Sequence, residues 1–390
     1  MVKISRPDIF TNKYSHNRNE EVMKDKIKYV IGISSLLITL FTLSVINCLK
    51  PQAEFSDSER RKLKQRPEWS AELLLSNRMG DAFEGYAMDQ FPFRDTFRRI
   101  KAYTLYNLFQ EKDNNGIYIS NGFAEKLNYP LKEASLSNAL NRFQSLYDTY
   151  LAESTGNIYT CIVPDKGYYL AEKYGYPHMD YDRLYDTIRA GMKYADFIDI
   201  RNLLEIKSYY KTDTHWRQEM IKPVADELLS IMGAEDTLEH QYQEITPETF
   251  FYGVYYGQSA LPLEKEYITY LTNELLDSCI VYNYEKDSTS GIYDLSKLKG
   301  RDPYELFLSG SVPLLTIENP KAAGEKELII FRDSFGSSLT PLLAEGYSKI
   351  TLVDIRYISS AILGDYLDFN GQDVLFLYST LLLNDSFSMK

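Results

Sequence analysis

The chain has 390 residues, 44% of them hydrophobic and 25% charged, with a formal net charge of −12. That apolar content suits a full-sized core and excludes a disordered chain. The acidic balance excludes a nucleic-acid partner, which needs a basic face.

Residues 1–28 are polar and of mixed charge, and read as a flexible tail. Tyr29 to Leu49 is a run of 21 residues without a charge. At about 1.5 Å per residue it spans roughly 30 Å, the thickness of a bilayer's hydrocarbon core. The polar region before it is long for a signal peptide and no small-x-small cleavage site follows, so an uncleaved transmembrane anchor is predicted. Lys24, Lys26 and Lys28 precede the run while Lys50, Arg60 and Arg61 follow it, so charge alone does not orient it.

Residues 50–70, with Pro51 and Pro67, read as a stalk. Residues 71–111 read as a helical arm, with Phe83, Tyr86, Phe97, Ile100 and Leu108 at helical spacings and a break at Phe91-Pro92. Helices and strands then alternate over 112–390. A helix is predicted at 133–153, a strand at 158–163 ending in Pro164-Asp165-Lys166, a helix at 181–194 and a strand at 197–200. A further helix is predicted at 216–232, in which Pro223 marks a kink or a second start. Residues 240–310 lack the alternation and suggest an insertion with antiparallel strands at 250–257 and 280–284. Strands at 328–331, 350–355 and 373–378 follow, the last two separated by a helix near 359–367. These elements define an α/β protein whose mostly parallel sheet has about five strands. Outside the membrane segment only Cys161 and Cys279 remain, too few for a disulfide framework.

The apolar strand Leu328-Ile-Ile-Phe331 runs into Arg-Asp-Ser334-Phe-Gly-Ser-Ser338, a sharp turn into a helix N-terminus. In open α/β sheets ligands bind at the carboxyl ends of the strands, and unpaired N–H groups at the helix start stabilise an oxyanion. Simple helix capping by Asp333 and Ser334 accounts for the same residues. A serine nucleophile needs a base and an orienting acid, and Tyr210-Lys-Thr-Asp-Thr-His-Trp216 offers both in Asp213 and His215. Of the four histidines, His16 precedes the membrane run, and His178 and His240 lack an Asp two residues before and an aromatic after. A metal site of Asp213, His215 and Asp333 has no further suitably spaced His or Cys.

Thr212-Asp-Thr-His-Trp216 followed by Asp333-Ser-Phe-Gly336 resembles the DHHW family, related to the SGNH-hydrolase-like proteins of alginate O-acetylation. Ser58-Glu59, Arg61, Leu63, Asp89–Asp95, Asn115–Tyr118, Pro164–Lys166 and Asp354–Tyr357 match that family's pattern in the same order. Thr214 departs from the second histidine of the family's name. Gln218-Glu219 replaces the small residues more usual after the motif.

The resemblance implies an SGNH-hydrolase-like sheet, a cytoplasmic placement for the tail 1–28, and an extracytoplasmic O-acyl, preferentially O-acetyl, transferase acting on a cell-surface polysaccharide. Ser334 would be the nucleophile, His215 the base and Asp213 its orienting acid. A multi-span membrane O-acyltransferase would supply the acetyl group, and no cofactor or metal is called for. Arg356, Tyr357, Asp165 and Lys166 are candidate substrate or oxyanion contacts. Arg356 reads equally as an ion-pair partner of Asp354, and Asp165 and Lys166 equally as a surface turn. A carbohydrate esterase with the same residues, or a non-catalytic polysaccharide-binding protein, is the alternative.

Overall fold

The computed structural model describes residues 9–76, 78–234 and 241–390. His240 and residues 1–8 of the expected tail lie outside them. The chain divides into two compact units. The first comprises the residues up to Ser56 together with Arg61–Phe97, and the second comprises Asp57–Arg60 together with Arg98–Lys390.

In the first unit, helix α1 (Ile9–Leu49) contains the apolar run but starts within the segment expected to be a flexible tail. Once a long apolar helix has formed, each added turn needs no new nucleus. Val22–Leu49 is long and apolar enough to cross a membrane, with a mean hydropathy of 2.2 in its most apolar stretch. Phe55–Ser56 and Arg61–Lys62 then pair antiparallel. Helices α2 (Ala71–Leu75) and α3 (Arg78–Asp89) follow, and α4 (Arg94–Tyr103) begins after the break at Phe91-Pro92. At the end of α3, Asp89 accepts two hydrogen bonds from the Arg61 guanidinium at 2.6 and 2.8 Å and one from Lys64 N–H at 2.9 Å.

The second unit is built on an eight-stranded sheet. Its strands are β1 (Ile158–Val163), β2 (Asp196–Ile198), β3 (Ile280–Asn283), β4 (Ser288–Ser290), β5 (Leu314–Glu318), β6 (Glu327–Arg332), β7 (Lys349–Val353) and β8 (Asp373–Ser379). Their order across the sheet is β4-β3-β5-β7-β6-β8-β1-β2. The run from β7 to β2 is parallel, and β5, β3 and β4 extend it antiparallel. The parallel part is the predicted sheet. The predicted strand near 280 pairs antiparallel with β5, which joins the excursion to the main sheet.

Strand β6 is buried on both faces, as its unbroken apolar run requires. Leu328 and Ile330 enter one core with Trp216, Val224, Leu228 and Leu339. Ile329 and Phe331 enter the other with Phe143, Tyr185 and Ile188. Each such side chain stabilises the fold by about 1.5–3 kcal/mol on burial.

The covering helices are α5 (Glu133–Leu146), α6 (Lys166–Tyr174), α7 (Tyr181–Gly191), α8 (Lys222–Ile231), the short α9 (Val254–Ser259) and α10 (Glu274–Ser278), and α11 (Gly336–Leu343). The helix expected over 216–232 is a 3-10 turn at Gln218–Met220 and then α8, with Pro223 in its first turn. Proline lacks an N–H and fits where that donor has no helical partner, so it marks a second start. The helix expected near 359–367 is a 3-10 segment, Ser360–Asp365. Cys161 and Cys279 are both buried and unpaired.

Candidate active site

Strands β6, β8 and β1 are neighbours, so their carboxyl ends bring Asp333-Ser334, Ser379-Thr380 and Asp165 to one edge of the sheet. Asp333 Oδ2 accepts from Ser379 N–H at 2.8 Å and from its hydroxyl at 2.6 Å, while Oδ1 accepts from Phe335 N–H at 3.0 Å. Asp333 thus locks the turn after β6. Phe331–Asp333 and Phe335–Ala344 are buried, whereas Ser334 between them is half-buried. Among the described residues no acceptor pairs with the Ser334 N–H. Gly336 opens α11, and a Cβ there would lie 2.9 Å from Arg332 Cβ, so the sharp turn needs a glycine.

The loop from Tyr209 to Trp216 closes on itself: these two residues form an antiparallel bridge, and Tyr210 N–H donates to His215 C=O at 3.1 Å. Buried Glu266 accepts from the N–H groups of Lys211 and Thr212 and from the Thr212 hydroxyl, each at 2.8 Å. Trp216 fastens the loop to α11, its indole N–H donating to Ser338 Oγ at 2.9 Å and its ring meeting Phe335 edge-on. Gln218 donates to Ser338 C=O at 2.8 Å and accepts from Leu271 N–H at 2.8 Å. That pairing explains a 3-10 turn at the position where a small helix-starting residue is more usual.

These anchors bring the three predicted residues together. His215 Nε2 lies 2.8 Å from Ser334 Oγ, and its Nδ1 lies 2.6 Å from Asp213 Oδ1. Asp213 Oδ2 accepts from Val254 N–H, the first residue of α9, at 2.9 Å and faces Arg60 Nη1 at 3.5 Å. Burial alone would raise the Asp213 carboxyl. The adjoining imidazole, then Arg60 and the Val254 N–H, hold it well below the usual carboxylate range. A carboxylate at Nδ1 leaves Nε2 free to take a proton from the serine. The His215 side chain is 9% exposed, and its imidazole stacks on Tyr304 with centroids 3.8 Å apart and planes 6° from parallel. Tyr304 is itself fixed by a 2.8 Å hydrogen bond between its hydroxyl and Ser338 Oγ.

The four weaker candidates have partners of their own. Lys166 is fully buried, and its ammonium donates to the backbone carbonyls of Asp213 at 2.6 Å, Tyr210 at 3.1 Å and Ala124. It braces the His215 loop from beneath and does not reach a substrate. Asp165 is 1% exposed and accepts from the Tyr181 hydroxyl at 2.6 Å and Thr380 Oγ1 at 3.0 Å, so it is neither a surface turn nor a substrate contact. Arg356 forms a two-pronged pair with Asp354 at 2.8 and 2.6 Å, the ion-pair alternative. Tyr357 is exposed, beneath the Arg356 guanidinium.

Sequence reasoning missed Arg60, Gly253, Glu266, Asp302 and Tyr304. Gly253 carried a signal, a glycine amid Phe250-Phe-Tyr-Gly-Val-Tyr-Tyr256. A Cβ there would lie 2.4 Å from the Asp213 backbone. A separate concavity of about 800 Å³, lined by Tyr129, Tyr168, His178 and Tyr181 among others, does not include the three clustered residues.

The fold and site define an α/β protein with a mostly parallel sheet, bearing a Ser–His–Asp hydrogen-bonded relay at its carboxyl edge. The structure of a DHHW family protein from Eubacterium siraeum shares this fold, with a TM-score of 0.56 at 21% identity, over 70% of this chain and 93% of that one. Bacillus cereus PatB1, solved also with a sulfonyl adduct, shares it with a TM-score of 0.53 at 17% identity, over 68% of this chain and 97% of that one. No protein-family model and no curated protein matches the sequence.

Proposed function

We propose that the chain is a membrane-anchored O-acyltransferase whose C-terminal unit faces outward and esterifies hydroxyls of a cell-surface polysaccharide, with acetyl as the acyl group. One observation supports the reading above all: the continuous relay Asp213–His215–Ser334, at 2.6 and 2.8 Å, ends on a half-buried hydroxyl.

In this mechanism Ser334 Oγ attacks the carbonyl carbon of an acyl donor while its proton passes to His215 Nε2. The Ser334 N–H and the start of α11 face the developing oxyanion. Collapse expels the donor's leaving group, which takes the proton from His215 and leaves an ester on Ser334. A sugar hydroxyl then gives its proton to His215 and attacks that ester. Ser334 Oγ departs with the proton, restoring the resting state. Asp213 holds the imidazole in the required tautomer and stabilises its cation. The donor system in this proposal is a multi-span membrane O-acyltransferase, and α1 keeps the two in one bilayer. Water as acceptor would make the same cycle an esterase.

The test uses the full chain in detergent micelles with nitrophenyl acetate, with and without oligosaccharide acceptors, beside Ser334→Ala. The proposal predicts ester cleavage that depends on Ser334 and acetylated oligosaccharide in the products. Equal cleavage by both proteins would exclude Ser334 as nucleophile, and cleavage without any sugar ester would favour the esterase.

A further inference from the structure

Asp213 is not the only carboxylate beside His215. Asp302 precedes the 3-10 turn Pro303–Leu306 that carries Tyr304, the ring on which His215 stacks. Arg60 lies between the two acids, with Nη1 at 2.8 Å from Asp302 Oδ2 and 3.5 Å from Asp213 Oδ2, and Nη2 donating to Tyr252 C=O at 2.9 Å. The Arg60 side chain is 12% exposed, so solvent screens this group weakly. Arg60 belongs to Asp57–Arg60, the tetrapeptide that joins the catalytic unit from the membrane-proximal part of the chain.

An arginine this close to Asp213 presents a chemical problem. A guanidinium that neutralised Asp213 would remove the charge that favours the imidazolium, weakening His215 as a base. Asp302 resolves it by engaging Arg60 at the shorter distance. Two carboxylates against one guanidinium leave a single negative charge when the imidazole is neutral, and none when it is protonated. Other charged groups near the loop are engaged elsewhere. Lys166 points at backbone carbonyls and Glu125, Glu266 binds the Lys211 and Thr212 N–H groups, and Asp333 binds Ser379.

We propose that Asp302 and Arg60 are paired positioning residues of the relay: Arg60 fixes the outer oxygen of Asp213, and Asp302 offsets the charge of Arg60 so that Asp213 still serves the imidazolium. The pairing rests on the acyl-transfer reading for its purpose, but its electrostatics are measurable without turnover.

Histidine ring NMR of the full chain in micelles, with signals assigned by His215→Gln, follows the titration of His215 in single and double variants. Asp302→Asn removes a negative charge and moves the midpoint down by about one pH unit; Arg60→Met removes a positive charge and moves it up by about one. The double variant restores the original balance and returns the midpoint close to the wild-type value, and Arg60→Lys keeps it there. The acidic limb of Ser334-dependent ester cleavage should follow the same pattern. A merely structural role would lower rate or melting temperature without opposite shifts. Midpoints that stay put, or that move the same way in both single variants, overturn the pairing. NMR shifts as predicted without Ser334-dependent cleavage would leave it standing and remove the acyl-transfer reading instead.

Discussion

Both oxygens of Asp213 are committed, one to His215 Nδ1 and the other to the Val254 N–H. Replacing it by asparagine therefore has a defined outcome. The Val254 N–H requires an acceptor, so the amide oxygen stays there and the amide NH2 turns to His215 Nδ1. The imidazole must then carry its proton on Nε2, pointing at Ser334, where it cannot act as a base. Asp213→Asn should slow Ser334-dependent ester cleavage by about 10⁴-fold while leaving the melting temperature nearly unchanged. A loss of stability as large as the loss of rate would count against this account. Gly253→Ala acts on the same carboxylate from outside. Its Cβ would sit 2.4 Å from Asp213 backbone atoms, which cannot swing aside as a flexible side chain would. Overpacking of this kind costs about 1–3 kcal/mol. Chemical denaturation should report that loss, and a sulfonyl fluoride should label Ser334 more slowly. Asp213, His215 and Ser334 were legible because each sits in a short motif with its own chemistry. Asp302 and Tyr304 were not, because the residues they meet at the site, Arg60 for the first and His215 and Ser338 for the second, lie more than 30 residues away and no local pattern marks them.

At the scale of elements, a buried contact between Lys166 and Glu125 supports the His215 loop. Lys166 begins α6, and its ammonium lies 3.7 Å from Glu125 Oε2, on the strand Phe123–Lys126, with both side chains at or near zero exposure. Burial lowers the Lys166 ammonium, partly offset by Glu125, and pushes the Glu125 carboxyl up to about 8. Removing one partner strands the other, which typically costs about 3–5 kcal/mol, whereas removing both is often neutral. Lys166→Met should therefore destabilise the protein strongly, and Lys166→Met/Glu125→Leu should recover most of the stability. Activity should not recover with it, because the Asp213 carbonyl still lacks its ammonium donor. Equal recovery of both, by calorimetry and ester cleavage, would show that the loop does not need Lys166.

In the first unit, Arg61 leads the causes that lower the Asp89 carboxyl to about 2, ahead of the opposing effect of burial. Its folded value lies below the unfolded one, so its contribution to stability is present above about pH 4 and is lost as pH falls toward 2. Asp89→Asn should flatten that part of the stability profile of α3 and the Arg61 hairpin, followed by hydrogen exchange. Sequence reading placed most of the helices and parallel strands, and over Trp216–Met232 it expected a helix with a kink or a second start at Pro223, of which the second start is found. Nothing local announces that Gln218 is held by Ser338 and Leu271, which stops the turn from continuing as an α-helix.

For the whole molecule, apolar runs revealed the parallel sheet because strands buried on both faces have no other sequence to offer. The antiparallel extension was only half visible. Residues 280–284 suggested a strand, but Leu314–Glu318, which joins it to the sheet, is a short run behind Pro313 with no flanking helix to mark it. Helix α1 carries the prediction at this scale. Placing arginine at Leu37 and Leu40 together should release the chain from membranes to alkaline carbonate, since each costs about 2.5–3.5 kcal/mol near the middle of a span. Retention of that variant would mean that α1 is not what holds the protein there.

The central claim is that Ser334 carries the acyl group with His215 as its base. It is tested most directly by exposing the full chain in micelles to nitrophenyl acetate, quenching in acid, and measuring the mass of the intact protein and its peptides. The account predicts one acetyl group on the Ser334 peptide of the wild type and none on that peptide in His215→Gln. Acetylation of Ser334 to the same extent without His215, or of other residues in its place, would contradict it.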